Sequence, residues 1–259
     1  MKMLLAAAAL LGAQDQGKPE DTEVWSPEPP VVSPGPPVSP APPSDATVLF
    51  GGKDLAQWVS VKDGSPARWT VADGMFTVAK GTGNIQTRRS FGSYQLHIEW
   101  RIPPNITGSG QARGNSGLFL ASTGEGDLGY ELQILDSYRN KTYVNGQAGS
   151  IYKQFVPLAN PARAPGAWQS YDVVWNAPTF GSDGAVICPA SVTVHFNGVL
   201  VQDQTVLKGP TQYIGQPSYK PHGKAPIKLQ DHGDPSPAIS FRNIWVRDIP
   251  QRGCEGASR

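Results

Sequence analysis

From Tyr94 to Ile102 the chain reads Tyr-Gln-Leu-His-Ile-Glu-Trp-Arg-Ile, with every even position apolar and every odd one polar. A strand turns successive side chains to opposite faces, so this alternation puts one face in a core and the other toward water; a helix would scatter both sets. Such one-sided burial is typical of antiparallel sheets. Tyr130, Leu132 and Ile134 alternate with Glu131 and Gln133 in the same way, and Tyr171, Val173 and Trp175 line one face of another strand. Val192, Val194 and Phe196 lead into Asn197-Gly198 and then Val199-Leu-Val201. Asn-Gly between two apolar runs marks a tight hairpin. Further short runs fall at Trp69–Val71, Met75–Ala79, Ser116–Ala121, Ser150–Gln154, Ile227–Gln230 and Ile239–Val246. In the last, apolar parity shifts near Asn243, which predicts a bulge. No stretch holds a helical period over three turns, and 29 glycines and 25 prolines supply turns between strands. The expected class is all-β, a two-sheet antiparallel β-sandwich or jelly roll.

The ends of the chain differ in character from this middle. Lys2, the apolar stretch Leu4 to Gly12 and the small residue Ala13 have the layout of an export signal over 1–13, too short to span a bilayer. No Cys follows it, as a lipoprotein signal would need. Between Pro27 and Pro43 nine of seventeen residues are proline. Residues 14–45 are therefore expected as a disordered, extended proline-rich linker, and 250–259 as a loose tail. One domain remains, 46–249, large enough to bury a core without staples. The protein is expected to act in the periplasm or outside the cell, with no membrane insertion. Two cysteines, Cys188 and Cys254, leave a disulfide and two free thiols equally open. Twenty-two basic against 21 acidic side chains give a net charge of +1 and no footprint for nucleic acid.

Several segments carry more than strand pattern. Leu49-Phe-Gly-Gly-Lys-Asp-Leu55 with Trp58 opens the domain; Arg113-Gly-Asn-Ser-Gly-Leu-Phe119, Gly129-Tyr-Glu-Leu-Gln-Ile-Leu-Asp136 and Gly149-Ser-Ile-Tyr-Lys153 follow. Ile227-Lys-Leu-Gln-Asp-His-Gly233 and Phe241-Arg-Asn-Ile-Trp-Val-Arg247 close it. In this order and spacing they resemble the 3-keto-disaccharide hydrolase domain family. The resemblance implies a concanavalin A-like fold, with a sugar-binding concave face. It also implies action on glycosides whose C3 hydroxyl is oxidised to a ketone.

Glucanases of that broad fold carry Glu-x-Asp-x-x-Glu on one strand; the matching positions here are Glu131, Gln133 and Asp136. Retaining hydrolysis needs two carboxyl groups about 5 Å apart. Gln at the centre argues against ordinary glycoside hydrolysis. A 3-keto sugar needs only a base at the acidified C2 hydrogen, an acid at the leaving oxygen and a donor near the developing enolate. Glu131 and His232 are candidates for base and acid. Lys153 and Arg113 are candidates for the enolate oxygen, with Asn115, Gln133 and Tyr152 as sugar-binding groups. Asp231 is a candidate to orient His232, given a loop there. His97 reads as part of an ordinary polar strand face.

Four scattered histidines without HxH or HExxH spacing give no transition-metal signature, and no cofactor is expected. A structural calcium on loop oxygens would leave no mark in the sequence. No nucleophile elbow or nucleotide loop is present. A carbohydrate substrate is the expected partner, and the sequence sets no oligomeric state. The same fold also serves as a lectin-like module without catalysis and as a conventional glycoside hydrolase, which are the alternative readings.

Overall fold

In the computed structural model, which describes residues 17–253, the alternating runs form strands. In chain order these are β1 (Thr47–Phe50), β2 (Trp58–Ser60), β3 (Thr70–Ala72), β4 (Met75–Thr77), β5 (Ile85–Thr87), β6 (Tyr94–Arg101), β7 (Ser116–Ser122) and β8 (Gly129–Ile134). After them come β9 (Trp168–Asn176), β10 (Thr179–Phe180), β11 (Val186–Cys188), β12 (Ser191–Phe196), β13 (Val199–Val206), β14 (Lys228–Leu229) and β15 (Ser240–Asp248). One sheet runs β13-β12-β9-β6-β15-β4-β3, with β1 also on β15; the other runs β2-β5-β14-β7-β8. All pairings within both sheets are antiparallel.

The two sheets share one core. Even residues of β6 (Tyr94, Leu96, Ile98, Trp100) and odd residues of β9 (Tyr171, Val173, Trp175) meet Leu118, Leu120, Tyr130, Leu132 and Ile134 of the five-stranded sheet. Two phenols bridge the layers: Tyr94 Oη donates to the Leu120 carbonyl at 2.6 Å, and Tyr171 Oη to the Gln133 carbonyl at 2.7 Å. Burying each polar tip with a partner keeps these large side chains from costing an unmade hydrogen bond. Asn197 and Gly198 turn β12 into β13 with φ of 52° and 80°, the left-handed pair such a turn requires. The bulge also falls as expected, with a register shift between Arg242 and Trp245 and Asn243 at φ 43°.

Three expectations change. Ser150–Gln154 is not a strand: Ile151 makes isolated bridges to Leu132 and Phe155, and Lys153 turns the chain at φ 58°. His97 is not on a solvated face; it is fully buried, stacked on Trp245 at 5.5 Å and bonded to Asp172. The proline-rich segment does not stand free over 17–45 but runs along the domain. Prolines lack the N–H that would pair their neighbours' carbonyls within the segment, so those carbonyls remain open to donors on the domain. Asn160 N donates to Pro30 O, Arg163 to Gly35 O, and Asn243 to Pro40 O, while Asp45 pairs with Arg247. The export signal, residues 14–16 and Cys254 lie outside the described residues. Cys188 is disulfide-bonded. No described helix is long and apolar enough to cross a membrane.

Candidate active site

Strand β8 gives its even side chains to the core, which leaves Glu131 and Gln133 on the outward face of the five-stranded sheet. They are nevertheless buried, in the wall of a cavity of about 660 Å³. Opposite Gln133 stands Gly117 of β7, where a Cβ would come within 2.6 Å of Glu131 Oε1 and 2.9 Å of the Phe119 ring. Glycine at 117 thus makes the space that the Glu131 carboxyl occupies. Among the described residues this carboxyl has no hydrogen-bond partner. Burial pushes its pKa up to about 8, helped by the Asp127 carboxylate and opposed by the Lys228 ammonium. A carboxyl in such a setting is mostly protonated at neutral pH.

The chain after β8 returns beside it: Tyr152 N donates to Glu131 O and Gly149 N to Gln133 O. This places Tyr152 in the cavity wall, where its hydroxyl lies 2.6 Å from that of Tyr143. Burial raises both phenols above their ordinary value. Only one proton fits between the two oxygens, so the second phenolic proton points elsewhere and is available as a donor. Gln133 Nε2 donates to Asn115 Oδ1 at 3.1 Å, and Asn115 Nδ2 to the Gln111 carbonyl at 2.9 Å. Gln133 Oε1 and Gln230 Oε1 are buried without a partner, and both residues line the cavity. Orphaned acceptors of this kind are uncommon and suit ligand hydroxyls.

His232 reaches the cavity from the loop after β14. Its Nδ1 lies 2.9 Å from Asp234 Oδ2, so Nε2 remains for a ligand. Asp234 is itself fixed by Ser236 and by Lys80 Nζ at 3.2 Å. Burial would raise the Asp234 carboxyl, but these hydrogen bonds outweigh it and hold the group well below the usual range. A carboxylate on Nδ1 favours the tautomer with its proton there, which leaves Nε2 as the acceptor.

Four predicted residues go elsewhere. Asp231 does not orient His232: its Oδ2 accepts from Gly83 N at 2.9 Å, because neighbouring side chains diverge and the i+2 residue takes the imidazole. The Arg113 guanidinium pairs with Asp136 at 2.7 Å and does not line the cavity. Asp136 is thereby removed from any carboxylate pair with Glu131. Lys153 Nζ is held by the carbonyls of Pro19 (2.5 Å) and Tyr213 (2.9 Å), beneath the cavity rim. Glu131, His232, Gln133, Asn115 and Tyr152 do come together around one space.

Sequence reading missed Asp234, Tyr143, Gln111 and Gln230. The i, i+2 spacing of His232 and Asp234 was the available signal; Tyr143 carried none. It also missed Lys228, fully buried at the centre of the sheet. Its ammonium is bound by the carbonyls of Gly126 and Leu128, each at 2.7 Å, and lies 4.4 Å from the Phe119 ring centre. Burial lowers it to about 8, against the pull of Asp127 and Glu131. It ties the β7–β8 connection to the sheet. Among the described residues no group of three or more His, Cys, Asp or Glu forms a metal-ligating cluster.

A two-sheet sandwich with a polar cavity does not by itself assign an activity. Residues 45–247 match the 3-keto-alpha-glucoside-1,2-lyase-like domain, and the chain belongs to that 3-keto-disaccharide hydrolase family. It is similar to a candidate glycosyl hydrolase of Parabacteroides distasonis, solved at 2.13 Å: 53% identity, 89% of this chain, 96% of that one, TM-score 0.77. A second candidate glycosyl hydrolase from the same organism shares the fold at 21% identity, 80% of this chain, 94% of that one, TM-score 0.57. No curated protein matches the sequence. The domain is glycosyl hydrolase-like.

Proposed function

We propose that this protein cleaves 3-keto-glycosides by elimination followed by hydration, with His232 as base and Glu131 as acid. The observation that carries this is the pairing, in one cavity, of an unpartnered carboxyl raised to about 8 with an imidazole held by an ionised aspartate. A carboxyl that keeps its proton at neutral pH can serve as acid, and an imidazole whose Nε2 is the open acceptor can serve as base. In the first half, the C2–H bond breaks and its proton goes to His232 Nε2. The electron pair spreads onto the C3 carbonyl oxygen, where the free phenolic proton of the Tyr143–Tyr152 pair donates. The C1–O bond then breaks, and Glu131 protonates the leaving oxygen. In the second half, Glu131, now ionised, takes a proton from water as its oxygen adds to C1, and His232 returns a proton to C2. Both groups end as they began.

We place this activity outside the cytoplasm, on the strength of Lys2 and the apolar stretch that follows it. The test is release of 3-keto-glucose from a 3-keto-glucoside beside the unoxidised glucoside, with purified protein. Turnover of the keto substrate alone supports the reading. Turnover of both makes it a conventional glycosidase. Turnover of neither, with measurable glycan binding, makes it a lectin-like module.

A further inference from the structure

We infer that the segment before the family domain is part of the sugar site, and that Glu23 and Trp25 on one rim with Tyr213 on the other form the subsite for the leaving-group sugar of a disaccharide. The inference rests on the cavity being a 3-keto-glycoside site. The family match begins at residue 45, yet Glu23 lines the cavity.

Its place there is built. A short 3-10 turn, Pro19–Thr22, leads into residues clasped by Asn145, whose Oδ1 accepts from Val24 N at 2.9 Å and whose Nδ2 donates to Thr22 O at 2.8 Å. Val144 N adds a bond to Val24 O at 2.6 Å. Asn145 is buried, and the three bonds fix the strand-like stretch between turn and rim. Past it, the Trp25 ring meets Tyr143 edge-on at 6.0 Å, and Glu23 Oε2 accepts from Trp25 Nε1 at 3.2 Å. The indole is thus oriented beside a cavity-wall phenol while 54% of the residue stays exposed.

Tyr213 faces the same mouth and is 61% exposed. Large aromatic groups left in water, one fixed by a hydrogen bond, present the flat apolar face that the C–H surface of a pyranose covers. The Glu23 carboxylate beside them suits vicinal hydroxyls. Lys153 ties the segment that carries Glu23 to the one that carries Tyr213, since its ammonium donates to Pro19 O and to Tyr213 O and lies 4.7 Å from the Tyr213 ring centre. Lys153 is therefore a positioning residue: it sets the width of the mouth without touching the reacting atoms.

The experiment compares a 3-keto-disaccharide with methyl 3-keto-glucoside, which has no second sugar, in wild type, Trp25→Ala, Glu23→Gln and Lys153→Met. The expected result is that the kcat/KM preference for the disaccharide falls about tenfold in Trp25→Ala, through KM rather than kcat, and severalfold in the other two. Equal losses on both substrates, or no change, overturn the inference. Calorimetric titration of the unoxidised disaccharide and methyl glucoside gives a second readout that needs no turnover. There, the ratio of the two affinities is expected to fall with Trp25→Ala, and an unchanged ratio overturns the subsite. A wild type that turns over neither keto substrate while Trp25→Ala still lowers disaccharide affinity removes the catalytic reading and keeps the subsite.

Discussion

Glu99 and Glu131 are both buried glutamates on central stretches of strands, each on the face of its sheet that points away from the shared core. Their surroundings are opposite. Glu99, on β6, accepts from Arg242 Nε at 2.6 Å, Asn243 Nδ2 at 2.9 Å and the Ser39 hydroxyl, with His97 alongside at 3.4 Å. Burial alone would raise its pKa; those hydrogen bonds outweigh it and bring the group down to about 2. Its neighbour His97 responds in the other direction. Burial pulls the imidazole down, but Asp172 and Glu99 outweigh it and lift the group to about 9. Glu131 has burial without such partners and rises to about 8. A fully partnered buried carboxylate suits a structural role, whereas a buried carboxyl without a partner beside a cavity suits proton exchange with a ligand.

The contrast breaks if the wrong glutamate proves essential. Glu131→Gln is expected to lower kcat/KM on a 3-keto-glycoside by about 10²–10⁴-fold in steady-state assays, the range for a lost general acid. Glu99→Gln, in the same assay, is expected to stay within threefold of wild type per folded molecule. Asp234→Asn should lower kcat by roughly 10²-fold while leaving KM little changed, since it acts through the His232 tautomer.

Stability reverses the order. In chemical denaturation Glu99→Gln is expected to lose about 2 kcal/mol, because it leaves Arg242 without its carboxylate and His97 with Asp172 alone; the partial exposure of Arg242 keeps the loss below that of a fully buried pair. Glu131→Gln should do the opposite at high pH. A folded pKa of about 8 against an ordinary 4.5 means the folded state binds the extra proton between those values. The wild type therefore loses stability as pH rises from about 4.5 through 8, and the loss persists above. Replacing the carboxyl is expected to raise Tm by roughly 10 °C at pH 9 and by little at pH 5, read by calorimetry across pH.

Much of the fold was legible because alternation reports directly on which face is covered, as β6, β8 and β9 illustrate. The Asn197-Gly198 hairpin and the Asn243 bulge were legible for the same reason: each is written in local spacing. What covers the second face of a sheet is not local. Nothing near Glu99 announces Ser39, a residue of the proline-rich segment whose hydroxyl donates to its carboxylate, or Pro40, whose carbonyl accepts from the neighbouring Asn243. Nor does composition reveal that a proline-rich run offers unpaired carbonyls to Asn160, Arg163 and Asn243. That Glu131 and Gln133 share a face was readable from strand parity, and the family resemblance pointed to His232, which lines the same cavity. Arg113 and Lys153 were misread because a cation's nearest acceptor depends on tertiary placement, and theirs are Asp136 and two loop carbonyls.

The measurement that tests the central claim most directly is a carbon-13 carboxyl NMR titration of glutamate-labelled protein, with Glu131→Gln and Glu99→Gln to assign the two signals. The account predicts that the Glu131 carboxyl is protonated at pH 6 and titrates near 8, while Glu99 stays ionised down to about pH 2. A Glu131 carboxyl already ionised at pH 6 would contradict its role as the acid and remove the distinction between the two glutamates.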